Sequence, residues 1–432
     1  MNTDIKMHKI RTSLTLRTLM KRIKALSNIA AVIIGITCLA TSSPRETALA
    51  APSDQPLIQQ SDIVYQGAFR VPVEDNAGCN SSTYQHCFWY GGYALSYNPE
   101  RNSLFFGGHV YTQTLGEISI PSTISLSSTA TVLQNLADPT EGNLGTVGPD
   151  PKLYGSLVYN NRLIVTGATY YGPSGNQLRS HGASGLNLSN AGDFQGFYSM
   201  NSAAGPRAVS GWMTTIPPEW QPLLGGPALT GHCCTPGNQD TSNGPAATIF
   251  NPDDVGVKNP IPGTTLIYYP FPDHPIARYD TQNLYYNLAT VIRGIAFPQG
   301  SRSVLFFGRQ GTGPYCYGEG GVSGQCYDPV DSSKGTHAYP YRYQVWAYDA
   351  NDLLLVKNGQ KQSWEIMPYA VWELTGIDST GSATISGAAY DSLNKRVFIT
   401  TNYGDNPIVH VYKINIPGAT PPPAAPKNLR TR

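Results

Sequence analysis

Short apolar stretches recur in pairs along the chain, the first opened by a small residue and closed by an aromatic beside Asn, Asp or Pro. Gly92-Tyr-Ala-Leu-Ser-Tyr97-Asn98 precedes Leu104-Phe-Phe-Gly107, and Gly155-Ser-Leu-Val-Tyr159-Asn160 precedes Leu163-Ile-Val-Thr-Gly167. Three further pairs read Pro245 to Phe250-Asn251 with Leu266-Ile-Tyr-Tyr269, Gly294-Ile-Ala-Phe297-Pro298 with Leu305-Phe-Phe-Gly308, and Gly387-Ala-Ala-Tyr390-Asp391 with Val397-Phe-Ile-Thr400. Runs this short, bounded by turn residues, predict strands. A third strand signal follows each pair, at Glu117 to Ile120, Gly185 to Leu188, Ile276 to Asp280, Val345 to Asp349 and His410 to Lys413. A β-unit that cannot bury its own faces must stack on copies of itself, which predicts an all-β fold closed as a β-propeller.

Five blades of four strands is the simplest count. The long intervals from Tyr159 to Phe250 and from Phe297 to Tyr390 leave six or seven open. The fifth unit runs out near Ile416 without a fourth strand, whereas Ile63-Val-Tyr-Gln-Gly-Ala-Phe69 is a strand without a blade. Closure of the ring by this N-terminal strand would cover an edge otherwise left exposed.

Composition agrees with strands and turns. Charged residues make up 13% of the 432, the net charge is +1, and the chain holds 44 glycines, 34 prolines and 27 tyrosines. Such a chain lacks the basic stripe that nucleic acid requires, and its low charge suits a neutral ligand.

Residues 1–50 read as a signal peptide. Lys6, Lys9, Arg11, Arg17, Lys21, Arg22 and Lys24 precede an apolar run from Ile29 to Ala40, and Ala48-Leu-Ala50 supplies a small-x-small cleavage site. The run is too short to span a bilayer comfortably, so a secreted, periplasmic or cell-envelope location is expected, with no transmembrane span in the mature chain. The propeller is assigned to 51–416, and 417–432 form a proline-rich linker or tail. Cleavage removes Cys38 and leaves Cys79, Cys87, Cys233, Cys234, Cys316 and Cys326. An even count in an exported chain favours disulfides. Spacing favours Cys79 with Cys87 and Cys316 with Cys326, which leaves the neighbours Cys233 and Cys234 to each other, though cross-links between loops stay open.

The pattern as a whole resembles secreted β-propellers in general. The segment Pro421-Pro-Pro-Ala-Ala-Pro-Lys-Asn-Leu429-Arg resembles the entry to a fibronectin type III module, which implies a possible cell-surface partner.

In a propeller, residues just before the first strand and just after the second lie at one end of the ring. This gathers Trp89 and Tyr90 with His109, Tyr154 with Tyr170 and Tyr171, Asn243 with Asp273 and His274, Arg293 with Arg309 and Gln310, and Ser386 with Asn402 and Tyr403. The six cysteines fall in connections on the same face, and the other end carries short turns. Trp89, His109, Tyr170, Tyr171, Asp273, His274, Arg293, Arg309, Asn402 and Tyr403 are therefore the candidate ligand-binding residues. Aromatic faces can stack on sugar rings while Asn, Gln and Arg satisfy hydroxyls, so the first reading is an exported module that binds a glycan or other extracellular ligand.

An enzyme acting on polysaccharide is the second reading. A hydrolase needs two carboxylates, for which the loops offer Asp273, Asp240, Asp405 and Glu319. A lyase would need Arg309 or Arg293 against a uronate and His109 or Tyr170 to move a proton. A structural part in a cell-surface assembly is the third reading. No catalytic residue is assigned. No cofactor or metal site is predicted, and His232 with the adjacent cysteines does not suit zinc. Asn251-Pro-Asp253-Asp254 could at most supply oxygens to a structural calcium ion.

Overall fold

The computed structural model describes residues 51–170, 176–234, 241–270, 273–274, 276, 285–378, 383–402 and 406–418. The segments assigned above to a signal peptide and to most of the tail, together with Tyr171 and Tyr403, lie outside these residues.

Five sheets form the blades of a five-bladed propeller. From the axis outward, blade one is Ser96–Asn98, Ser103–Gly107, Leu115–Ser119 and Val132–Ala137, and blade two is Pro151–Tyr159, Arg162–Thr169, His181–Gly185 and Gln195–Tyr198. Blade three is Trp212–Thr215, Ala228–Gly231, Ala247–Phe250 and Ile261–Ile267, with Met200–Asn201 added in parallel at its edge. Blade four is Val291–Ala296, Ser303–Gly311, Tyr341–Asp349 and Ala370–Glu373. Blade five is Thr384–Asp391, Arg396–Asn402, Ile408–Ile414 and, outermost, Ile63–Arg70. That N-terminal strand pairs antiparallel with Ile408–Ile414, from Ile63 opposite Ile414 to Arg70 opposite Ile408. The expected closure is therefore present, and the count is five.

Each gap between neighbouring blades is filled by its own apolar core. Phe69, Phe398 and Val411 of blade five meet Leu95, Leu104 and Phe106 of blade one, while Trp212 and Leu229 of blade three meet Ile292, Phe306 and Trp346 of blade four. A strand covered on both faces has no reason to alternate. Ser303–Gly311 is buried along its whole length, which is why Val304-Leu-Phe-Phe307 reads as an unbroken apolar run.

The small residue that opens each repeat also has a physical cause. Innermost strands of adjacent blades converge on the axis, so a Cβ on Gly155 would run into the carbonyl of Gly211, one on Gly387 into that of Gly92, and one on Gly294 into Ala388. Only glycine permits that backbone approach.

Blade three corrects the sequence reading. Its innermost strand is Trp212–Thr215, introduced by Gly211, and the stretch that reads as its opening strand is the third, Ala247–Phe250. The third-strand signal at Ile276 to Asp280 is not part of the described sheet; of that stretch only Ile276 is described. Blade two differs by a few residues, since its third strand His181–Gly185 ends where the expected one begins. The long interval before Tyr390 holds no further blade among the described residues. It contains a two-stranded hairpin, Cys316–Glu319 with Lys334–His337, and the helix Ala350–Lys357. No described helix is long and apolar enough to cross a membrane.

Candidate functional site at the axial mouth

Three innermost strands carry a β-bulge at the same place, with register shifts between Leu153 and Gly155, Ile292 and Gly294, and Ile385 and Gly387. The extra residues are Tyr154, Arg293 and Ser386. A bulge re-aims a side chain that regular pairing would commit to one face of the sheet. Here the outcome is a meeting across the axis. The Arg293 guanidinium lies 5.7 Å from the centroid of the Tyr154 ring, although blade three separates their blades.

His232, directly after the second strand of blade three, completes the group. Its ring is 4.4 Å from that of Tyr154 and meets Trp212 edge-on at 6.2 Å. Nδ1 lies 3.1 Å from the carbonyl of Arg207, which can only accept, so Nδ1 carries the hydrogen. Burial pulls the His232 pKa down to about 3, with Arg293 and Arg207 acting in the same direction. The imidazole is neutral at physiological pH. Arg207, itself buried, belongs to the short helical turn Pro206–Val209 and donates from Nε to Thr169 Oγ1 at 2.7 Å. Burial lowers the pKa of Arg293 also, and Arg309 adds to the shift.

Arg309 is buried on the second strand of blade four, its guanidinium 4.1 Å from the Tyr341 ring centroid. The Tyr341 hydroxyl donates to Asp328 Oδ2 at 2.5 Å, and His337 Nδ1 approaches the same oxygen at 2.7 Å. Asp328 Oδ1 accepts the amides of Val330 and Asp331 at 3.1 Å each. The hairpin inserted in blade four is thus pinned beside the mouth through a carboxylate whose two oxygens are both engaged.

The remaining candidates divide by position. Tyr170 is exposed, held by its amide to the Asp150 carbonyl at 3.0 Å, and its hydroxyl acts electrostatically on Arg293. Asn402 is half-buried at the seam of blades five and one, its Nδ2 3.5 Å from the Gly91 carbonyl, and its Oδ1 is buried with no hydrogen-bond partner among the described residues. His109 is buried within blade-one loops, stacked on Tyr84 at 4.1 Å and flanked by Tyr90 and Tyr111. Trp89 is half-buried just before Tyr90. Asp273 and His274 follow the outermost strand of blade three and are exposed, with His274 stacked on Trp364 at 4.3 Å. Their placement beside the axis is corrected by the strand order of that blade, which puts them on the rim. Asn243 is buried ahead of the third strand and donates its amide to the Tyr269 carbonyl at 2.9 Å.

His232 and Arg207 are not candidates by sequence. The signal that could have found His232 is Ala228-Leu-Thr-Gly231, a short second strand that ends directly before it. Recognising Gly211-Trp212 as the opening of blade three would have placed His232 at the mouth, beside Tyr154.

The three disulfides join Cys79 to Cys87, Cys233 to Cys234 and Cys316 to Cys326, with Cα separations of 4.6, 3.7 and 5.7 Å. They are compatible with an oxidising compartment. Among the described residues no three His, Cys, Asp or Glu side chains gather as metal ligands. In the loop considered for calcium, Asn251 accepts the amide of Asp253, Asp253 accepts from Asn160, and Asp254 pairs with Lys258 at 3.0 Å.

The sequence matches no family model and no curated protein. Solved structures do resemble the fold. A GH43 endo-arabinanase from Bacillus licheniformis has 12% identity over 77% of this chain and 94% of its own, with a TM-score of 0.39. A glycosyl hydrolase from Bacteroides ovatus has 10% identity over 81% and 93%, with a TM-score of 0.38. A GH130-family structure, described with glycoside hydrolases that target β-1,2 mannosidic linkages in Candida mannan, has 10% identity over 85% and 99%, with a TM-score of 0.40.

Proposed function

We propose that this protein is an exported β-propeller that binds an extracellular glycan at its axial mouth. The observation that carries the reading is the meeting of Tyr154, Arg293 and His232, brought from three blades to one point on the axis. An aromatic face beside hydrogen-bond donors on a rigid scaffold is the composition that holds a sugar ring and its hydroxyls. The loops around it are stapled by disulfides, which keeps such a site formed before the ligand arrives.

Hydrolysis by paired carboxylates has less support. Of the described carboxylates, Asp328 is committed to His337 and Tyr341, Asp273 is on the rim and Glu319 is exposed on the inserted hairpin. The test is to pass neutral and acidic polysaccharides over the immobilised protein while following product size and the absorbance of unsaturated sugars. Retention without product, weakened about tenfold or more by Tyr154→Ala, is expected. Shorter products would turn the reading to a hydrolase, new absorbance to a lyase, and no retention of any glycan would overturn it.

A further inference from the structure

Arg293 differs from the enclosed carboxylates of this protein. Glu117, Asp75, Asp328 and Asp391 are each engaged by several donors. Arg293 is surrounded by protein yet still reached by solvent from the mouth. Its guanidinium forms no ion pair with any described residue, and its one hydrogen bond is a long one, 3.5 Å, to the carbonyl of Ile292 beside it. Its charged neighbours are of its own sign. Arg309 disfavours its charge, and Arg293 and Arg207 both help to keep His232 unprotonated. Among the described residues, its charge is favoured by Tyr154 and Tyr170 and by the Ile292 carbonyl that accepts from it.

An enclosed cation without a counter-charge is costly, and a protein retains one where something else supplies the charge. Arg293 is also placed to receive it, because the bulge carries its side chain across the open end of the axis. A guanidinium presents paired N–H donors that match an oxyanion in two parallel bonds. The net charge of +1 over the chain suggests a neutral ligand, but among the described residues Arg309 acts on Arg293, and Arg293 and Arg207 act on His232, as like charges.

We infer that Arg293 is the docking point for an oxyanion on the ligand, and that the glycan is an acidic one bearing uronate carboxylates or sulfate esters. This rests on the glycan reading above. The ring carrying the acid would lie against Tyr154, with its oxygens on the guanidinium.

The test compares polygalacturonate, its carboxyl-reduced neutral form and dextran sulfate against neutral dextran, on the wild-type protein and on Arg293→Gln and Arg293→Lys. Thermal unfolding is measured alongside, with and without free galacturonate or sulfate. The wild type should hold an acidic polymer about tenfold or more tightly than its neutral counterpart. Arg293→Gln should lose that preference, and Arg293→Lys should keep part of it. Whether uronate or sulfate is preferred identifies the source of the oxyanion. Equal binding of acidic and neutral polymers, or a preference that survives Arg293→Gln, would overturn the inference and leave the glycan reading standing. If no polymer is held but the free anions raise the Tm of wild type and not of Arg293→Gln, the oxyanion site stands and the glycan reading falls. If neither polymers nor anions have any effect, both fall.

Discussion

Two enclosed charges, one at each end of the ring, are treated in opposite ways. At the end formed by short turns, Glu117 is wholly buried and accepts from Asn98 and Ser103 on one oxygen and from Arg101 and Gln134 on the other. At the mouth, Arg293 has no counter-charge among the described residues. The first arrangement ties the turn at 98–103 to the third and fourth strands of blade one. The second does nothing for the fold. A charge answered on every side by the protein is built for stability, and one left unanswered is built to receive something.

Acid should sharpen this contrast most, because it would put other residues in the position of Arg293. His181, His232 and His410 are buried, and burial depresses their pKa values to about 3, about 3 and about 4. His181 and His410 bond to the hydroxyls of Ser180, Thr230, Thr401 and Tyr65. Since the folded pKa values lie below that of an unfolded histidine near 6.5, the unfolded state binds more protons. Stability is therefore complete above about pH 6.5 and falls as the pH drops toward 3, each imidazole costing about 2 kcal/mol at pH 5. Urea titrations at pH 7.5 and 5 would check this; equal midpoints would show that the three rings are not neutral in the fold.

Gly155→Ala should come next. The new methyl group would meet the Gly211 carbonyl where blades two and three converge, at a cost of about 3 kcal/mol in the same urea titration. A smaller loss, about 2 kcal/mol, is expected for Glu117→Gln, which removes the charge that holds Arg101 and sets an amide N–H against the donors Asn98 and Gln134. Arg293→Leu should have the smallest effect, within about 1 kcal/mol of wild type or slightly stabilising, because no ion pair is lost. A large destabilisation by Arg293→Leu would break the comparison, since it would give the residue a structural task.

Most of this architecture was legible from glycines and apolar runs. Gly92, Gly155, Gly294 and Gly387 mark real approaches of backbone near the axis, and the stray strand at Ile63 to Phe69 does close the ring. Blade three misleads because its innermost strand, Trp212-Met-Thr-Thr215, is half polar and ends before Ile216-Pro217, whereas Ala247-Thr-Ile-Phe250 has the apolar ending of an opening strand. The site was legible in part for the same reason. Counting from strand ends places Arg293, Tyr154 and Tyr170 at one mouth, but strand counting cannot show that a bulge will carry Arg293 across to Tyr154. His232 and Arg207 depend on the blade that misleads, and Asp273 and His274 are drawn inward by the same error.

The pairing of Ile63–Arg70 with Ile408–Ile414 also bears on how the molecule is made. Blades one to four can assemble from consecutive chain as it emerges, but the outermost place in blade five is reserved for a strand that left the ribosome first. The ring therefore stays open until the final strands arrive, and its closure joins the first and last strands of the propeller, a slow class of contact. A chaperone or protease that meets the chain before closure would find a four-bladed arc with a loose leading strand, and the commitment to a finished protein would come at a single late step.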